Sequence, residues 1–163
     1  MLRTYKCADA ALSLKRVRRA GWVESGLRDV ESVADHSFSL AIISMIASEM
    51  GGLDVARAVR MALIHDLAEA YTGDLTPGMK RRVDRKLLRR LEEAILWELF
   101  SDTTLRIRRN YLKLYRDYLR NGSAEARLVH MLDKWEMRLE AEWIRRERRK
   151  LPKRMMKMLE MLK

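Results

Sequence analysis

Apolar residues in this chain recur at steps of three and four, while sustained period-two alternation is nearly absent. Valines are few, and Leu, Ala, Met, Arg, Lys and Glu, all good helix formers, dominate. That pattern predicts an all-α fold of about six or more helices. A first helix is expected after Asp9, through Leu12, Leu14 and Val17, ending before Gly21. A second starts near Ser32, places Val33, His36, Leu40, Ile43 and Ile46 on one stripe, and stops at Gly51 and Gly52. Asp54 caps a third, carrying Val55, Val59, Ala62, Leu63 and Leu67 until Thr72, Gly73 and Asp74 break the pattern. Thr76 and Pro77 read as N-cap and first turn of a fourth helix running towards Phe100. After Ser101 and Asp102, a fifth helix reaches about Arg120 and is closed by Asn121 and Gly122. Ser123 caps a long sixth with Leu128, Leu132, Trp135, Leu139 and Trp143 on its apolar stripe. Pro152 ends or kinks it, and the methionine-rich residues 153–163 are expected to form a short helix for packing or for an interface.

With no linker or repeat in view, residues 1–163 read as one domain, and a chain of this size buries roughly 70% of its unfolded surface. Hydrophobic residues make up 48% and charged residues 35%, which excludes disorder on one side and membrane insertion on the other. A lone Cys7 precludes an internal disulfide, and with no signal peptide read at the N-terminus it points to the reducing cytoplasm. Net charge is +11, from 34 basic and 23 acidic residues, which favours anionic partners. Glutamine is absent, and Asn110 and Asn121 are the only asparagines, a bias that fits a thermophilic source. The basic clusters at 80–90, 106–120 and 145–154 read as solvated helix faces. The competing reading is a basic helical module that binds nucleic acid.

Three histidines, His36, His65 and His130, are the only imidazoles. His36 lies on the inward stripe of the second helix. His65 is followed at once by Asp66 within an apolar stretch, where a buried carboxylate is costly unless paired or bound to a cation. Glu69 falls one turn beyond His65, and Asp74 sits at the break that follows. If the second, third and sixth helices share one core, His36, His65, Asp66 and Asp133 can offer two nitrogens and two oxygens to one divalent ion. Such a set suits Mn, Fe, Co, Ni or Zn better than Ca. His130, three residues before Asp133, reads as incidental.

The order His36, His65-Asp66, Asp133 resembles the HD-domain metal-dependent phosphohydrolases. Four stretches are similar to the family's 5'-deoxynucleotidase branch: Lys15 to Val23, Glu31-Ser32-Val33-Ala34-Asp35-His36, Ala62 to Glu69, and Thr72-Gly73-Asp74-Leu75-Thr76-Pro77. The segment Leu132 to Met137 fits as well, so the resemblance spans about residues 12–145. It implies hydrolysis of deoxyribonucleoside 5'-monophosphates to nucleoside and phosphate, in a homodimer, with His36, His65, Asp66 and Asp133 holding a divalent metal (Mn, Co, Zn, Fe, Ni or Mg). Glu69 and Asp74 would be its acid/base and water-positioning carboxylates. Arg19 would contact the phosphate and Trp22 the sugar or base. Other phosphoester substrates of HD domains, such as cyclic nucleotides, nucleoside triphosphates and guanosine polyphosphates, form the nearest alternative, since fold does not fix substrate.

Overall fold

The computed structural model describes residues 5–148, and the expected helix over 153–163 lies outside them. The described residues form nine helices and no strand: α1 Lys6–Leu14, α2 Ala20–Glu24, α3 Val33–Gly51, α4 Val55–Ile64, α5 Glu69–Thr72, α6 Pro77–Lys80, α7 Arg85–Leu99, α8 Leu105–Arg120 and α9 Ala124–Arg148. No described helix is long and apolar enough to cross a membrane.

Several expected boundaries are where the capping chemistry put them. Ser32 accepts from Asp35 N while Asp35 accepts from Ser32 N, a reciprocal capping box opening α3, and Gly52 closes that helix with φ 64°. Asp54 caps α4, Thr76 caps α6 and Ser123 accepts from Ala126 N at the start of α9. Asn121, at φ 53°, ends α8.

Other expectations are corrected. Gly21, expected beyond the first helix, lies inside the separate short helix α2, and α1 begins earlier, at Lys6, whose backbone N–H is held by Asp102. The fourth helix is two, because Asp84 accepts from Lys86 N and Leu87 N and starts α7 afresh. The third helix stops at Ile64. There the His65 ring Nδ1 takes Ala62 O at 2.8 Å, and the next turn tightens to three-residue bonds, Leu67 N to Ile64 O and Glu69 N to Asp66 O.

The main core gathers Leu14, Val33, Leu40, Met61, Leu96, Leu99, Tyr115 and Val129 from six helices, with α3 packed along α4 and α9. Two apolar stripes face away from it. On α3 the buried positions beyond Leu40 are Ala41, Ser44 and Ser48, whereas Ile46 is 48% exposed; on α9 Trp135, Leu139 and Trp143 face out, and Ala126, Val129, Leu132 and Glu136 face in. Small residues on the inner side of α3 allow close helix approach, which puts its bulkier side chains outside.

The capping box sits directly below His36, so its loss frays the helix that carries the site. Ser32→Ala is expected to lower stability by about 1 kcal/mol in urea denaturation; an unchanged midpoint would contradict the assignment.

Candidate metal centre

α3, the α4–α5 turn and α9 converge on one buried cluster. His36, fully buried, places Nε2 3.2 Å from Asp133 Oδ1 and Nδ1 2.7 Å from Glu136 Oε2. His65 directs Nε2 to Asp66 Oδ2 at 3.0 Å. The two imidazoles lie edge to face, 5.4 Å between centroids, and the ligand atoms of His36, His65 and Asp66 all fall within 4.8 Å of one another.

Hydrogen-bond bookkeeping shows what this cluster lacks. Ala62 O can only accept, so His65 Nδ1 must carry a hydrogen, and in the neutral ring that leaves Nε2 as a bare lone pair. His36 Nδ1 donates in the same way to Glu136, which in the neutral ring leaves its own Nε2 bare. Both Nε2 atoms are buried without a hydrogen-bond partner while standing against carboxylate oxygens. Two acceptors that close require a positive charge between them, supplied by a proton on the ring or by a metal cation. The donor set fits the latter: two nitrogens, two carboxylates, and an outer carboxylate or carbonyl on each Nδ1, the arrangement that orients metal-bound histidines.

Two further carboxylates, Asp74 and Glu69, and two cations, Arg19 and Lys80, extend this cluster. Arg19, only 12% exposed at its side chain, sets Nη1 3.3 Å from Asp66 Oδ2 and 3.9 Å from Asp74 Oδ2. Asp74 also accepts from Ala20 N at 2.7 Å, while Thr76 Oγ1 donates to Glu24, so both ends of α2 are tied to the segment after α5. Glu69 is buried, with Oε1 3.7 Å from Lys80 Nζ and Oε2 unpartnered.

Burial and repulsion shape the titration of these groups. Burial, reinforced by the charges of Asp66 and Asp74, pushes the Glu69 carboxyl up to about 9. Burial disfavours the His36 imidazolium, but the facing carboxylates of Asp133 and Glu136 outweigh it and raise the ring to about 10. Asp66 goes the other way: burial opposes its charge, yet His65 and Arg19 hold it far below the usual carboxylate range. Burial, then Glu136, lifts Glu31 to about 7 against a hydrogen bond from Trp22.

Of the residues singled out in the sequence, the structure brings together His36, His65, Asp66, Asp133, Glu69, Asp74 and Arg19. Trp22 stands apart. It is 2% exposed, packs with Leu27, Ala141 and Ile144, and donates its indole N–H to Glu31 Oε1 at 2.9 Å. The expected contact with sugar or base therefore has no exposed indole face to make it; two residues separate Trp22 from Arg19, and the α2 turn carries it into the core. His130 stacks on Tyr118, which in turn packs edge-on against His65. Glu136 and Lys80 escaped the sequence reading. Glu136 had a signal, a step of three from Asp133 on the same helix face; Lys80 had none, since α6 alone delivers it.

An HD-domain family model matches residues 11–159. The chain belongs to the HD-domain family. It is 35% identical over 128 residues to the human 5'-deoxynucleotidase HDDC2, covering 78% of this chain and 61% of that protein. It is 31% identical over 130 residues to the 5'-deoxynucleotidase YGK1 of Saccharomyces cerevisiae, covering 76% and 58%. The chain thus spans about three fifths of the length of these curated relatives. The solved PH0347 protein from Pyrococcus horikoshii superposes with a TM-score of 0.76 at 30% identity, over 98% of this chain and 88% of the other.

The raised groups make a prediction for metal-stripped protein. Glu69, Glu31 and His36 have folded values above their ordinary ones, so their stabilisation is complete below about 4.5 for the glutamates and 6.5 for the histidine, and is lost as pH rises towards 9, 7 and 10 respectively. The melting temperature of the stripped protein should fall from pH 6 to pH 9, and less steeply in Glu69→Gln. A flat profile, or an equal slope in the variant, would contradict this electrostatic picture.

Proposed function

We propose that this HD domain is a metal-dependent phosphomonoesterase that hydrolyses deoxyribonucleoside 5'-monophosphates to deoxynucleoside and phosphate. The observation that carries the reading is the pair of buried Nε2 atoms without hydrogen-bond partners facing Asp66 and Asp133, with a guanidinium and a buried carboxyl alongside. The similarity to proteins named 5'-deoxynucleotidases supports the substrate. His36, His65, Asp66 and Asp133 would hold the divalent ion. Mn, Fe, Co, Ni and Zn all suit the donor set, and availability selects among them.

A bound divalent cation supplies a water acidified towards neutral pH and a Lewis acid for the phosphoryl group. The remaining work falls to side chains. Arg19 neutralises the phosphoryl charge, and its own position is fixed by Asp66 on one side and Asp74 on the other. Asp74 is already committed to Ala20 N, so in this proposal it is a positioning residue that holds α2 and Arg19 against the site. Glu69 is the proton carrier. Its carboxyl holds a proton at neutral pH and keeps Oε2 free, the state needed to protonate the departing 5'-oxygen. Lys80, beside Glu69, adds a second positive charge on the phosphate side.

The proposed working unit is a homodimer, as the resemblance implies, in the reducing cytoplasm to which the lone Cys7 points. The charge-rich, glutamine-free composition and the similarity to a Pyrococcus protein support a heat-adapted source.

The test is phosphate release from deoxy- and ribonucleoside 5'-monophosphates after metal stripping and restoration with Mn, Co, Zn or Mg separately, beside His65→Ala. Metal-restored release from deoxynucleotides, abolished in the variant, is expected; release only of pyrophosphate or of a nucleotide from other phosphoesters would overturn the monophosphatase reading. Glu69→Gln should lose at least about 100-fold in kcat while retaining its metal. Near-normal turnover would remove Glu69 from the proton-transfer role.

A further inference from the structure

A broad apolar face lies on the back of the site helices. On α3, Phe38, Ile42, Ile46 and Met50 repeat at four-residue steps and are 45–85% exposed. On α9, Met131, Trp135, Leu139 and Trp143 repeat at the same step and are 40–59% exposed. The helices run antiparallel: His36, near the start of α3, meets Asp133 and Glu136, while Asp54, just past its end, bonds Glu125 at the start of α9. The two stripes therefore lie side by side, with a groove of about 1030 Å³ between them in which Ile42, Ile46, Met131 and Trp135 face one another.

We infer that this α3/α9 face is the surface through which two copies of the chain associate. The inference rests on the homodimer reading and names the face that reading leaves open. Side chains of this size expose about 150–250 Å² each when free, so the eight fractions amount to on the order of 900 Å² of apolar surface. Monomers rarely keep patches beyond about 300–600 Å², and a stable pair needs about 800 Å² from each partner. The pattern is also self-complementary. Four-residue ridges on both helices are the type that interdigitate with ridges of the same type, and an antiparallel pair presents the same outline to a copy turned about a twofold axis through the groove.

The terminal segment 149–163 is the competing occupant. It brings Met155, Met156 and Leu159, but also Lys150, Lys153, Arg154 and Lys157, to a groove already rimmed by Arg127, Lys134 and Arg138. A second copy brings the same rim charges, so charge does not separate the two occupants, and the apolar area, close to what each partner of a stable pair buries, favours the second copy.

Sedimentation equilibrium of the full chain tests the inference. Wild type is expected at twice the chain mass at micromolar concentration. Ile46→Glu/Trp135→Glu should weaken association at least 100-fold, whereas Leu87→Glu, on the exposed face of α7, should leave it unchanged. Should the double variant fail to fold by circular dichroism, Met50→Glu, at 85% exposure, takes its place. A dimer that survives these substitutions overturns the face and leaves the homodimer standing. A wild-type monomer overturns both, and if removal of 149–163 then restores pairing, the terminal segment is what covers the groove.

Discussion

Two imidazoles with their Nδ1 hydrogens already committed hold the site together. Ala62 O fixes one ring and Glu136 the other, and each commitment forces a bare nitrogen towards a carboxylate. With the Asp66 and Asp133 carboxyls held below their ordinary range, and so ionised, nothing neutral satisfies that geometry. The cluster is stable only with positive charge at its centre, and this one requirement links the helix break at His65, the burial of Glu136 and the approach of Arg19. The same contact that ends α4 orients the His65 ring: by donating to Ala62 O, the ring sits at the helix break with Nε2 against Asp66.

Much of this was legible in the sequence because it rests on local rules. Capping at Ser32, Asp54, Thr76 and Ser123 depends on one side chain and a nearby N–H, so the start of four helices could be placed from residue type alone. The metal-type cluster was legible for a different reason. A His-Asp doublet in an apolar run is energetically awkward, and awkwardness at that spacing narrows the explanations.

Less was legible where three-dimensional packing decides between faces. Ile46, Trp135, Leu139 and Trp143 share the helical period of a core stripe, yet they lie outside, because α3 turns its serines and alanines inward to approach its neighbours closely. Periodicity identifies a face but not which of two faces is covered. Trp22 shows the same limit in reverse: near Arg19 in sequence, it is swung into a second cluster with Ala141 and Ile144 by the short helix α2. Glu136 went unread because a buried glutamate looks like a surface one until its histidine partner, 100 residues away, is placed beside it.

Nitrogen NMR addresses the two Nε2 atoms directly. In protein labelled at histidine nitrogens, one equivalent of Zn²⁺ added to the stripped chain should move the Nε2 resonances of His36 and His65 strongly, keep both Nδ1 hydrogens in place and leave His130 nearly unchanged. Zinc that binds tightly while both Nε2 resonances stay where they were, or that shifts His130 instead, would contradict the account.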